Sequence, residues 1–170
     1  PYDNGSSSGS MFSQIADICS ENRVGYHYFP LGIQKHSNTV QLFKTAKALG
    51  VNYVLAKDLR PASYAEVLEK TDTFLYQCKT AYITICTDVF SSAFAPGVSA
   101  TQSFGVDPET VLPVLKHILR TRKVRGFDIC EISPRFDQDN TTANLGAVLI
   151  FSVVDTRCRL KGLEIEQELI

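Results

Sequence analysis

Apolar residues Met11, Phe12, Ile15, Ile18 and Cys19 recur at helical spacing, which predicts a first helix ending before Asn22. Ahead of it, Asn4, Gly5, Ser6, Ser7, Ser8, Gly9 and Ser10 favour turns and side chain to backbone bonds, so that run reads as a loop. Residues 25–33 are aromatic and β-branched with Gly32 near their end, the pattern of a buried strand. Ser37 and Asn38 then offer N-cap chemistry for a helix whose apolar face is Val40, Leu42, Phe43, Ala46 and Leu49. Gly50 stands where a C-cap prefers it. A short strand over 52–56 follows, and Ser63 with Glu66 has capping-box spacing for a helix carrying Val67, Leu68, Phe74 and Leu75 toward Cys78.

Residues 82–86 read as a β-rich strand, and a proline and glycine loop over 93–105 comes next. Asp107, Pro108 and Glu109 are a cap, a first helical residue and a dipole complement. Pro113 predicts a kink, or a separate turn before the main helix to Arg120, because an interior proline costs about 3 kcal/mol. Residues 124–131 read as a strand and 140–154 as an apolar final helix, while the charged tail 157–170 decides nothing. Helix and strand alternate with connections long enough for crossovers, so the fold class is α/β with a mostly parallel sheet in one domain.

With 170 residues, 44% of them hydrophobic, the chain is long enough to bury a core. A formal net charge of −1 leaves no positive surplus for a phosphate backbone, so nucleic acid is not an expected partner. No stretch approaches the roughly 18–20 apolar residues that cross a bilayer, and no membrane partner is expected. Cys19, Cys78, Cys86, Cys130 and Cys158 are an odd, scattered set, expected of reduced thiols in a cytoplasmic protein. Pro1 opens the chain with neither an initiator Met nor a leader, as expected of a processed or truncated product.

In open parallel sheets ligands bind beyond the carboxyl ends of the strands. Two such ends carry acids here. Cys86-Thr87-Asp88 closes one strand, and period-two alternation would put its thiol and carboxylate on one side. Phe127-Asp128-Ile129-Cys130-Glu131 places two carboxylates in an otherwise apolar strand and its exit. A buried carboxylate is costly unless paired, hydrogen-bonded or bound to metal; capping and salt bridging are the plainer explanations.

These segments, together with Ala95-Pro96-Gly97-Val98-Ser99-Ala100 and Gly126 to Pro134, resemble the later signatures of the ureohydrolase superfamily of arginases, agmatinases and formimidoylglutamases. Ser8-Gly9 before Met11-Phe12, and Leu31-Gly32-Ile33-Gln34 with Ser37-Asn38-Thr39, are similar to the formimidoylglutamase branch. The resemblance implies a three-layer α/β/α arginase-like fold, of which residues 1–170 are the C-terminal part. It also implies hydrolysis of a linear amidine, N-formimino-L-glutamate and water giving L-glutamate and formamide, by a hydroxide held between two manganese ions. Asp88 matches the second aspartate of the family's metal pair, and Cys86 stands where the first, bridging aspartate belongs. Glu131 matches the acid facing the substrate's cationic group, Asp128 its companion acid, and Ser8 a serine touching the amino-acid end of the substrate.

Thiolate suits hard manganese less well than carboxylate, and Phe12 stands where arginases carry a histidine. The glycine-rich and D-x-H-x-D metal motifs of the family have no counterpart in this sequence, so the chain is expected to be half of a longer enzyme and inactive by itself. The histidines do not supply the gap: His27 reads as a packed strand residue, His117 as a boundary residue, and His36 as a cap or solvent-facing group. A small-molecule substrate is the expected partner, with a homo-oligomer left open. Alternatives are an arginase or agmatinase activity, a silent structural remnant, a nucleotide-binding module, or a Cys86 nucleophile with a distant histidine.

Overall fold

In the computed structural model, which describes residues 9–163, the elements run α1 (Met11–Glu21), β1 (Leu31–Ile33), α2 (Val40–Ala48), β2 (Val54–Leu55), α3 (Tyr64–Tyr76), β3 (Ala81–Cys86), α4 (Pro108–Arg120), β4 (Val124–Cys130) and α5 (Thr141–Leu160). Both strand pairs are parallel, β1 with β2 and β3 with β4, and among the described residues the two pairs do not join. The fold is α/β, and the order of helix and strand is the one the hydrophobic pattern predicts.

The β3–β4 pair is the spine. Thr84 faces Asp128, Ile85 faces Ile129 and Cys86 faces Cys130 in the ladder. Alternation sends Ile83, Ile85, Phe127 and Ile129 into a core shared with Leu115 and Leu119 of α4 and Leu149 and Val153 of α5. Tyr82, Thr84 and Cys86 alternate to the opposite face, beside Gly126, Asp128 and Cys130. A second core gathers Val54, Ala56, Leu59, Val67, Val106 and Val114 around β2 and α3. Helix α4 feeds both, Val114 entering one and Leu115 the other.

That double burial explains why α4 is one continuous helix through Pro113 rather than a separate turn followed by the main helix. The proline removes a single helical donor near the start of the helix, while Val114, Leu115 and Leu119 are each at most 3% exposed. Asp107 caps the helix by accepting from Glu109 N–H at 2.8 Å, with Pro108 in the first turn.

Several local expectations are corrected. Residues 25–30 are not strand: the rings there stack instead, Tyr28 on Phe12 at 4.2 Å and Phe29 on Phe74 at 5.3 Å, and the ladder with β2 begins only where Val54 N–H donates to the Pro30 carbonyl at 3.0 Å. His27 is therefore exposed rather than packed in a strand. The cap of α2 is Thr39, which accepts from Leu42 N–H, rather than Ser37 or Asn38. Ser63 makes no side-chain cap bond because residues 61–63 already form a 3-10 turn, and Glu66 pairs with Lys70. The last helix runs on to Leu160, so the start of the tail is helical.

α5 begins under a borrowed cap. Asp137 accepts backbone N–H bonds from Gln138, Thr142 and Ala143, each at 3.0 Å. Gly97 packs so tightly beneath it that a Cβ there would lie 2.5 Å from Asp137 Cβ, while Gly97 N–H bonds the buried Thr142 hydroxyl at 2.7 Å. Desolvation pulls the Asp137 carboxyl upward, but the bonds from Thr142, Ala143 and Gln138 outweigh it and hold its pKa below the ordinary 3.8.

A depressed carboxylate pKa contributes stability above the unfolded value and loses it as pH falls through the folded one. Urea unfolding of wild type and Asp137→Asn is therefore expected to show a stability gap at pH 7 that closes as pH drops below about 4. An unchanged gap at pH 3 would show that the carboxylate charge is not what caps α5.

Candidate functional site at the ends of two parallel strands

β3 stops at Cys86, and Thr87–Val89 turns as a 3-10 segment. The turn ends the period-two alternation, so Cys86 and Asp88 do not share a strand face in the way predicted. They are nonetheless neighbours, because the turn folds the Asp88 carboxyl back beside the Cys86 thiol and the Ala100 N–H. Thr87 is fully buried and donates its hydroxyl to the Cys130 carbonyl at 2.8 Å, joining the end of β3 to the end of β4.

Glu131 is the first residue beyond β4, and its φ of +65° is left-handed backbone that a residue with a side chain adopts at a cost. The bend turns an exposed carboxylate out at the strand end. Ser99 donates to Glu131 Oε2 at 3.5 Å, which connects the site to the loop over residues 93–105.

Asp88 Oδ1 is buried and has no hydrogen-bond partner, the sole such side-chain atom among the described residues. Desolvation, and then the charge of Glu131, raise the Asp88 pKa above the ordinary 3.8. Desolvation likewise pushes the Cys86 thiol up to about 12, although part of the residue is open to solvent. An unsatisfied oxygen beside a second acid is an environment that a cation would stabilise.

The other nominated residues are placed differently. Asp128 lies two residues before the end of β4, where it accepts from the Thr84 hydroxyl at 2.6 Å and from Tyr82. Ser8 lies outside the described residues. His117 bonds Asp72 at 2.7 Å, far from the strand ends.

Sequence reasoning missed a neighbouring polar cluster. Gln102, only 8% exposed, accepts from Ser37 at 2.8 Å, meets His36 at 3.1 Å and donates to the Ala100 carbonyl at 3.0 Å. It braces the loop that presents Ala100 to Asp88. The partners are 65 residues or more apart for His36 and Ser37, so no local spacing announces them.

No group of three or more His, Cys, Asp or Glu among the described residues could hold a metal ion. Asp88 fits a hard cation, Cys86 is a soft second donor, and two donors do not complete an octahedral site.

The fold and the acidic strand ends define an α/β protein with a candidate site at the carboxyl edge of parallel strands. A model of the Arginase family matches residues 1–155, and the chain belongs to that family. It is 56% identical over 164 residues to a formimidoylglutamase of Clostridium tetani, a match covering 96% of this chain and 48% of the relative. It is 42% identical over 158 residues to a formimidoylglutamase of Legionella pneumophila, covering 92% of this chain and 50% of the relative. The chain thus spans about half the length of the curated relatives it matches. The crystal structure of formimidoylglutamase from Bacillus subtilis shares the fold with a TM-score of 0.81 at 24% identity, over 98% of this chain and 50% of that one. The agmatine ureohydrolase of Thermoplasma volcanium does so with a TM-score of 0.67 at 23% identity, over 81% and 44%.

Thr87→Val keeps the shape of the side chain and leaves the Cys130 carbonyl without its donor. Urea unfolding is expected to show a loss of about 1–3 kcal/mol, the cost of a buried polar group left unmade. A variant as stable as wild type would mean that Thr87 does not join the two strand ends.

Proposed function

We propose that this chain contributes the substrate-facing carboxylate and part of the metal-binding edge of a formimidoylglutamase, which hydrolyses N-formimino-L-glutamate to L-glutamate and formamide. The observation that carries the proposal is the buried, unpartnered Asp88 oxygen beside Glu131 at the ends of two paired strands. Relatives named formimidoylglutamase, one of them 56% identical, support this substrate over arginine.

Asp88 is the hard ligand of the set, and Cys86 stands beside it as a soft one. The chemistry that manganese supplies in such sites is a water made nucleophilic near neutral pH and a counter-charge for the tetrahedral carbon. Glu131 faces outward from its left-handed bend and is suited to hold the planar, cationic formimino group by a charge-assisted bond. Ser99 steadies that carboxylate. Asp128, engaged by Thr84 and Tyr82, serves as a positioning residue that fixes the polar face of β4 leading to Glu131.

The small-molecule substrate follows from this role. No helix among the described residues is long and apolar enough to cross a membrane. The outward face of α5 exposes Val148, Ile150, Phe151 and Val154, which suits packing against the remainder of a chain twice this length.

For the manganese-loaded longer protein, kcat/KM is expected to be higher for formiminoglutamate than for arginine or agmatine. Glu131→Gln is expected to lower it by on the order of 10- to 100-fold, matching a charge-assisted bond of roughly 1.5–3 kcal/mol. Faster turnover of arginine would overturn the substrate, and unchanged kinetics in Glu131→Gln would overturn the role of that residue.

Calorimetry on the 170-residue chain alone is expected to give no tight manganese isotherm, because hard octahedral ions want about six donors. In the longer protein, Cys86→Asp is expected to tighten manganese binding by replacing a soft donor with a hard one. Tight binding by the isolated chain, or weaker binding by Cys86→Asp, would refute the ligand assignment.

A further inference from the structure

We propose that Cys86 and Cys130 are a modification site, a thiol pair that a small organic disulfide converts to a reversible bond joining the ends of β3 and β4. The two residues are register partners in the parallel ladder, and each is the last residue of its strand. Neighbouring strands lie about 4.8 Å apart, inside the Cα separation of roughly 4.4–6.8 Å that a disulfide accepts.

Their side chains share a face. Thr84 Oγ1 lies 3.8 Å from Cys130 Sγ, and Thr84 stands two residues before Cys86 on the same strand, hence on the same side of it. Both are free thiols, Cys86 exposed and Cys130 half-buried. The other three cysteines have no such partner: Cys19 is on α1, Cys78 follows α3, and Cys158 is on α5.

The oxidant is a small disulfide of the glutathione type. The Cys86 sulfur, whose proton passes to the departing sulfur, attacks one of the disulfide's sulfurs, breaking that S–S bond and releasing one thiol. The Cys130 thiolate then attacks the Cys86 sulfur of the mixed disulfide, forming the Cys86–Cys130 bond and releasing the second thiol. The two protein protons end on the two released thiols, the protein is oxidised by two electrons, and the small disulfide is reduced by two.

Partner residues in a parallel ladder hold their Cβ atoms wider apart than an unstrained disulfide wants, so the bond is of the labile, readily reduced kind. Its formation does not rest on the hydrolase reading. Its consequence does, since a bonded Cys86 sulfur is no longer a thiolate ligand beside Asp88.

The test is to incubate the folded protein with glutathione disulfide, block free thiols, and digest with trypsin without reduction. A peptide spanning residues 80–116, which contains Cys86, is expected joined to one spanning 126–135, which contains Cys130. The joined species should be two hydrogens lighter than the sum, vanish with dithiothreitol, and be missing from Cys130→Ser. Blocked or glutathionylated cysteines at both positions with no joined peptide would overturn the proposal. So would a joined peptide that forms only in urea, or one that links either cysteine to Cys19, Cys78 or Cys158.

Discussion

Everything at the candidate site depends on the register of β3 against β4. A slip of one residue would turn Thr84 and Cys86 into the core and bring Ile83 and Ile85 out, so burial of the isoleucines locks the pairing. The lock is closed by Thr87, whose hydroxyl satisfies the Cys130 carbonyl where the ladder ends. That bond is a side-chain link between the segments that leave β3 and β4. With it, Asp88 and Glu131 emerge close enough for the charge of one to raise the pKa of the other.

The stability that tolerates this comes from the helices behind the sheet. α4 places Val114 in one core and Leu115 and Leu119 in the other, so the two strand pairs are held to one another through a helix although no ladder joins them. The loop beyond β3 is pinned at both ends. Gly97 fits under Asp137 at the start of α5, and Gly105 lies so near Phe90 and Ser91 that a Cβ would come within 2.2 Å of their backbone. The loop that approaches Asp88 and Glu131 is thereby a fixed wall, with Gln102 as its internal brace.

What could be read from the chain in advance follows from the range of the interactions concerned. Asp107 with Pro108, and the apolar periods of α1, α3 and α4, are short-range signals, and they name their elements correctly. Residues 25–30 have strand-like composition but meet β2 only at Pro30, and composition cannot reveal how far a partner extends. Ser63 and Glu66 carry a capping-box spacing that a preceding proline turn makes redundant. The acids at the strand ends were visible as an anomaly in apolar surroundings. That one of them would keep a buried oxygen with no partner required the coordinates, because satisfaction depends on every atom nearby.

Among the described residues, the one buried side-chain oxygen without a partner lies at these strand ends, while left-handed backbone occurs here at Glu131 and also at Arg23, Arg122, Asp139 and Asn140. Asp88 has a buried oxygen with no donor, Glu131 holds a left-handed backbone, and Cys86 is a thiol held protonated by burial, all within a few residues of the same strand ends. Elsewhere the demanding groups are met: Thr142 serves Gly97, Asp137 serves the first turn of α5, and Thr84 serves Asp128. A fold that satisfies its polar groups generally and leaves one carboxylate oxygen unmet would gain stability there from a cation, because binding to the native state alone adds to stability. Such local cost is what a binding edge keeps and a purely structural one loses. Cys86 weakens the same argument for a hard ion by one donor, since a proton competes for its sulfur more strongly than for a carboxylate. The metal preference of the proposed binding edge therefore turns on that single side chain as much as on Asp88.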